Sequence, residues 1–312
     1  MKFLCLIVVM LRARLLGCFV ALLFLLFGLN GCALDSTLGT SGVASTKNVA
    51  SPVRVVKIGL ALGGGAARGF AHIGVIKALE SQGIFPDIIV GTSAGSVVGA
   101  LYAAGNSGFA LQKLAHGLDQ AKISDWSFPD RGVLKGDALQ NWVNEMVGQR
   151  PLEGLAKPFA AVATDLNNGE SVAFRTGNTG MAVRASSTVP GIFQPVQIQR
   201  HEYVDGGLSS VVPVRAARQM GSDVVIAVDI SAQPESKALR STLDVLLQTV
   251  TIMGRSLVQH ELKEADVVIR PAVGHISSTD FIARHDSILE GERAAMAMIP
   301  QIKEVLRKAA KM

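Results

Sequence analysis

Ser93 stands between two glycines in Gly91-Thr92-Ser93-Ala94-Gly95, directly after the apolar run Asp87-Ile88-Ile89-Val90 and before the helix-like stretch Gly95 to Leu101. Residues of these types at this spacing can build a nucleophile elbow. The glycines let a strand-to-helix turn close tightly, which exposes the serine oxygen at the carboxyl end of a sheet and beside a helix N-terminus. The chemistry would be acyl transfer. The competing reading is a strand-to-helix crossing filled by small residues.

A second group is Gly63-Gly64-Gly65-Ala66-Ala67-Arg68-Gly69. Backbone N–H groups in a glycine turn that leads into a helix can hold an oxyanion or a phosphate. A dinucleotide fingerprint starting at Gly63 needs glycine where Arg68 stands, and a phosphate loop needs Gly-Lys-Ser/Thr, so nucleotide binding is the weaker alternative. The base is less obvious. A Ser-His-Asp triad requires a histidine beyond Ser93, and His116, His201, His260, His275 and His285 are the candidates, none in a glycine-bracketed loop. Asp205 follows a strand-like stretch and precedes Gly206 and Gly207, so its carboxylate projects from a strand end into a loop, where desolvation would raise its basicity. Asp-Gly is also a common turn pair. Asp165 and Asp229 are rival acids at strand ends.

These groups need a framework that brings loop ends together. Val55–Leu62 reads as a buried strand, Phe70–Gln82 as a helix, Asp87–Val90 as a strand and Gly95–Ala104 as a helix. Further helices are expected over Gly108–Ala121 and Lys135–Val147. Pro158–Leu166 and Ser171–Thr176 form a hairpin around Asn167-Asn168-Gly169, Met181–Ser187 a short helix and Val196–Val204 one strand. The rest alternates: helix Pro213–Met220, strand Asp223–Ile230, helix Leu243–Glu264, strand Asp266–Val273 and helix Ser287–Lys311. Alternation of this kind predicts a three-layer α/β/α sandwich with a mostly parallel central sheet.

With 312 residues, 49% of them apolar and 18% charged, the chain suits one large α/β domain. The N-terminus is a separate object. Arg12 and Arg14 precede an unbroken apolar run from Leu15 to Leu29, and Asn30-Gly31-Cys32 follows. Positive, then apolar, then small is the order of an export signal. Leu29-Asn30-Gly31-Cys32 also resembles the bacterial lipoprotein signal, which implies acylation at Cys32, residues 1–31 as signal and 32–53 as a flexible tether. A signal anchor and a cleaved secretory signal are the other readings, and Met10 is an alternative start. Ala33, rather than Asp, after the cysteine implies by the same resemblance a cell-envelope lipoprotein able to leave the inner membrane. The remaining cysteines, Cys5 and Cys18, also precede residue 33, so the folded part has no disulfide or thiolate metal site. Without Lys2, Arg12 and Arg14, the 30 basic side chains fall to 27 against 25 acidic, and a nucleic-acid partner loses its support.

Four motifs in order, GGGAARGFAHIG, GTSAG, TVPGIFQPV and VDGG, resemble the patatin-like phospholipases, particularly bacterial members related to neuropathy target esterase. The resemblance runs from about Lys57 to Val214. It implies a Ser-Asp dyad, with Ser93 as nucleophile and Asp205 as its base. The oxyanion hole would be built on the loop that opens at Gly63, from the amides of Gly64, Gly65 and Ala94, with Arg68 supporting the loop. No metal or cofactor is needed, and the implied substrate is a phospholipid or lysophospholipid. A catalytically silent binding lipoprotein is the alternative. Two departures stand out: Ser210 and Val211 replace a more usual Asn-Pro, and Ala66, where glycine is common, calls for a negative φ. Phe109–Trp142, which mixes Trp126, Phe128 and Trp142 with basic residues, is either a lipid-admitting flap or dimer face, or an ordinary exposed cap.

Overall fold

The computed structural model describes residues 55–118, 134–233 and 240–311. The expected signal, Cys32, the tether, Trp126 and Phe128 lie outside them. The described residues form strands β1 (Ile58–Leu62), β2 (Ile88–Thr92), β3 (Phe159–Asp165), β4 (Ser171–Phe174), β5 (Val196–Ile198), β6 (His201–Asp205), β7 (Val224–Val228) and β8 (Val267–Ile269). The helices are α1 (Phe70–Ser81), α2 (Ala94–Ala103), α3 (Gly108–His116), α4 (Asp137–Met146), α5 (Thr179–Ser186), α6 (Val214–Gln219), α7 (Thr242–Glu261) and α8 (Arg284–Ala309).

Strand order is β5-β6-β3-β2-β1-β7-β8, with β4 also paired to β3. β3, β2, β1, β7 and β8 run parallel, while β4 and β6 pair antiparallel with β3, and β5 pairs antiparallel with β6. Alternation along the parallel strands fills both faces. Leu60, Leu62, Ile89, Phe159, Ile226 and Val228 join a core with α1, α2 and α8, whereas Ala61, Val90, Val162 and Val225 join one with α6 and the end of α7. Burial on both faces explains why these strands read as continuous apolar runs.

One element differs from the sequence reading. Val196–Val204 is a hairpin, not one strand: Ile198 pairs with His201, and Gln199 turns the chain with φ 57°. Gln199-Arg200 carries no glycine or asparagine, so the usual turn signal is missing.

Register places the end of this hairpin. Ala161 and Val162 pair with both β2 and β4, while Ala163 and Thr164 pair with both β4 and β6. A strand has two edges, so β2 and β6 must share one edge of β3, end to end. Thr92 stands opposite Val162 and Asp205 opposite Ala163. Two segments 112 positions apart in the chain therefore meet head-on beside β3, and they meet at Ser93 and Asp205.

Candidate active site

Ser93 is the whole connection between β2 and α2. Its φ of 52° and ψ of −123° lie where L residues with a Cβ are strained, and such strain persists only where the surroundings enforce it. The two glycines provide the room: a Cβ on Gly95 would stand 2.1 Å from the Leu62 carbonyl oxygen, and one on Gly91 2.3 Å from that of Gly95. The Ser93 amide donates to Ser186 Oγ at 2.9 Å, and that hydroxyl donates to the Val162 carbonyl at 2.5 Å. The elbow is thus tied to β3 through α5.

Asp205 ends β6 and is buried. Its carboxylate accepts the Gly207 amide at 2.7 Å, and its own amide donates to the Thr188 carbonyl at 2.8 Å. Burial pushes its pKa up to about 6, while the Ser93 side chain and the Gly207 amide pull the other way. Gly206 is required here because β6 runs into the end of β2, and a Cβ would come 2.2 Å from the Val162 carbonyl oxygen. Thr92 Oγ1 donates to the Ser210 carbonyl at 2.9 Å, and Thr164 Oγ1 to the Asp205 carbonyl at 2.9 Å, closing the junction on both sides.

The glycine loop lies against the elbow, with the Gly64 backbone facing Ser93 Cβ. Its amides are not equally available. Gly63 donates to the Val228 carbonyl at 3.0 Å, continuing the pairing of β1 with β7, and Gly64 to that of Val211, in the segment before α6, at 2.9 Å. Gly65 and Ala94 carry no such bond among the described residues, and Ala94 opens α2, where helical amides lack intrahelical acceptors. The amide expected at Gly64 is therefore engaged elsewhere, and Gly65 and Ala94 are the donors left beside Ser93. Arg68 is buried and its Nε donates to the Gly65 carbonyl at 3.2 Å. Ala66 departs from the negative φ expected of it: at 51° it takes the left-handed conformation itself, since the loop must reverse there into a 3-10 turn.

His72 and Glu261 were missed from sequence. His72 is fully buried, and its Nε2 donates to the Gly63 carbonyl at 2.8 Å; burial lowers its pKa to about 4, so the ring is neutral and braces the loop. Its place in GFAHIG, next to the glycine loop, was the available signal. Glu261 is buried at the end of α7, accepts the Ser210 hydroxyl and, at 2.9 Å, the Val212 amide, and has its pKa raised by burial. Nothing local in the sequence marks it. Through it Ser210 anchors the segment after Asp205.

The remaining candidates stand apart. Asp165 holds His201 Nδ1 at 2.6 Å and the Asn167 amide at 2.8 Å, and Asp229 accepts the Ser231 amide at 3.0 Å and faces Arg270. His260 bonds its own helix at Ser256, and the rings of His116 and His285 lie 6.2 Å apart. No histidine lines the cavity of about 360 Å³ that opens on Ser93. That cavity is apolar, walled by Phe70, Val98, Leu111, Trp142 and Phe281, and by Phe193 of the TVPGIFQPV motif. Of the expected flap, Phe109 is exposed with Lys77 above its ring at 4.9 Å, and Trp142 faces the cavity.

Comparison with known proteins agrees with this arrangement. The family model described as patatin-like phospholipase matches residues 60–218, from β1 through α6. An uncharacterized NTE family protein of Mycobacterium tuberculosis is 35% identical over 206 residues, 64% of this chain and 56% of that protein. Human patatin-like phospholipase domain-containing protein 6 is 35% identical over 187 residues, 57% of this chain and 14% of that protein. Lysophospholipase NTE1 of Coccidioides immitis is 34% identical over 181 residues, covering 56% and 12%. This chain thus spans about half the length of the mycobacterial relative and far less of the others. The crystal structure of VipD from Legionella pneumophila superposes with a TM-score of 0.56 at 15% identity, over 78% of this chain and 66% of that one, a likeness of fold. The match runs through the glycine loop, the elbow and the Asp205 turn, and the chain belongs to the patatin-like phospholipase family.

Proposed function

We propose that this protein is a serine acyl hydrolase that cleaves a phospholipid or lysophospholipid ester through a Ser-Asp dyad. The observation that carries the proposal is the junction of β2 and β6, where a strained serine meets a buried aspartate at the mouth of an apolar cavity. Ser93 Oγ attacks the ester carbonyl while Asp205 accepts its proton. The oxyanion sits against the amides of Gly65 and Ala94, in the field of the α2 N-terminus. Asp205 returns the proton to the departing alcohol, leaving an acyl-serine. Water then gives a proton to Asp205 as it attacks, and the fatty acid departs as Ser93 is reprotonated. The apolar walls of the cavity suit a fatty acyl chain.

Fluorophosphonate labelling tests the nucleophile. The expected result is a single adduct on the peptide carrying Ser93, formed in step with loss of lysophospholipid hydrolysis. An adduct on another serine, or hydrolysis that survives full labelling of Ser93, would refute the proposal.

The same reading places the enzyme at a membrane of the cell envelope, held by acylated Cys32. Its support is the order of Arg12, Arg14, the apolar run and Leu29-Asn30-Gly31-Cys32. Two or three acyl chains hold a protein firmly, one only marginally. Palmitate incorporation is expected in cells expressing the full chain and is lost in Cys32→Ser. Incorporation that persists in the variant would remove the anchor.

A further inference from the structure

The C-terminal part of α7 reaches into the core. Gly254 packs on Val211 Cγ2 and near the Gly207 carbonyl, Val258 enters the core, and Glu261 takes the Ser210 hydroxyl and Val212 amide. Among the described residues from Thr242 to Met253 none is buried. At ~1.5 Å per residue, these twelve span about 18 Å ahead of Gly254, partly buried along Leu247, Val250 and Thr251 and exposed on the opposite side.

What this segment exposes is apolar. Val245, Leu246, Ile252 and Met253 are 50%, 43%, 54% and 63% exposed. Val245 and Ile252, like Leu246 and Met253, are seven residues apart, so the four share one side of the helix, with Thr249 between them. The hydroxyls of Thr249 and Thr251 donate to the Val245 and Leu247 carbonyls at 2.8 and 2.9 Å, so neither depends on water for a partner. Asp244, the sole acid from residue 240 to 260, turns its carboxylate to the Arg240 and Ser241 amides at the helix cap. Arg240 and Arg255 are exposed and flank the strip. An apolar strip between arginines suits a lipid–water boundary with anionic headgroups. No described helix is long and apolar enough to cross a membrane, so the strip can lie in a surface but not span it.

We infer that the N-terminal three turns of α7 dock this protein on an anionic bilayer, setting the loop after Asp205 against the lipid. The docking rests on the helix geometry; its use in delivering lipid esters rests on the hydrolase reading. A second copy of the chain fits less well. The strip rests on four apolar side chains, whereas a standard protein–protein interface draws on about 20–30 residues a side and ~800 Å² per partner.

The test uses the full chain with vesicles of phosphatidylcholine and phosphatidylglycerol. The double variant Ile252→Glu/Met253→Glu keeps hydrolysis of a soluble short-chain ester within about twofold and loses hydrolysis of vesicle lipid about tenfold or more. In Met253→Trp, lipids brominated along the acyl chain quench fluorescence beyond the quenching of Trp126 and Trp142 in the parent. Unchanged vesicle hydrolysis with no added quenching overturns the inference. So does light scattering that shows a dimer dissolved by the double variant, again without quenching, because a second copy then covers the strip. A parent inactive on both substrates would sink the hydrolase reading alone, since quenching still decides the docking.

Discussion

Replacing Ser93 by alanine lowers kcat/KM for a short-chain chromogenic ester by at least about a thousandfold, and replacing Asp205 by asparagine does the same. The double variant is no worse than either single one, because nucleophile and base act as one unit. Both variants fold. Alanine at 93 leaves the amide that donates to Ser186 Oγ, and asparagine at 205 keeps an oxygen for the Gly207 amide while losing the capacity to take a proton. Circular dichroism matching the parent, alongside lost turnover, is therefore the expected pair. Turnover that survives Ser93→Ala would reduce GTSAG to a crossing of small residues.

The pH dependence follows from the same carboxyl. Asp205 must be ionised to accept a proton, so kcat/KM rises with pH about a midpoint near 6, where burial has placed the group. Stability runs the other way. A carboxyl raised from 3.8 to about 6 favours the fold while protonated, and that contribution is lost as pH climbs between the two values. The loss is at most about 3 kcal/mol at ~1.4 kcal/mol per unit. Asp205→Asn cannot ionise and escapes it, so its Tm relative to the parent increases from pH 4 to pH 7, by at most about 6–12 °C at roughly 2–4 °C per kcal/mol. A difference in Tm that is flat with pH would mean that Asp205 is not desolvated. Activity is thus obtained at a site that opposes folding under the conditions where it works, as expected when a base is tuned by burial.

How much of this was legible depended on whether the cause was local. The parallel strands were, because burial on both faces gives runs such as Ile88-Ile89-Val90, and so was the elbow, because only glycine fits at 91 and 95. Asp205 could be singled out by its glycines but not placed. What places it is β6 sharing an edge with β2, a consequence of the hairpin at Gln199-Arg200, and that hairpin has no turn signature in its side chains. Hydrogen bonding by individual amides was equally hidden, since Gly64 differs from Gly65 only in that Val211 lies within reach. Glu261 is 51 residues from Ser210, and only the packing of α7 joins them.

Gly95→Ala gives the second large effect, and it separates shape from chemistry. The added methyl adds almost no volume and removes no reacting group, yet it would stand 2.1 Å from the Leu62 carbonyl oxygen, 2.6 Å from its carbon and 2.8 Å from the Gly63 carbonyl oxygen. All three are backbone atoms, two in the last residue of β1, which β2 and β7 hold on both sides, and one in Gly63 just after it, so no rotamer change can relieve the contact. Relief requires α2 to move away from the sheet, which opens the packing of Val98, Leu101 and Tyr102. Overpacking of this kind costs about 1–3 kcal/mol where side chains can yield, and the upper end or beyond applies where backbone must. The fall in Tm is expected to be about 6–12 °C or more, read by thermal denaturation, at roughly 2–4 °C per kcal/mol for a domain of this size. Any folded fraction should have lost activity in proportion to the displacement of Ser93, since about 1 Å of misplacement costs on the order of a hundredfold. A Gly95→Ala protein with the parent's Tm would show that the elbow has slack, and the strain at Ser93 would then owe nothing to the contact between α2 and β1.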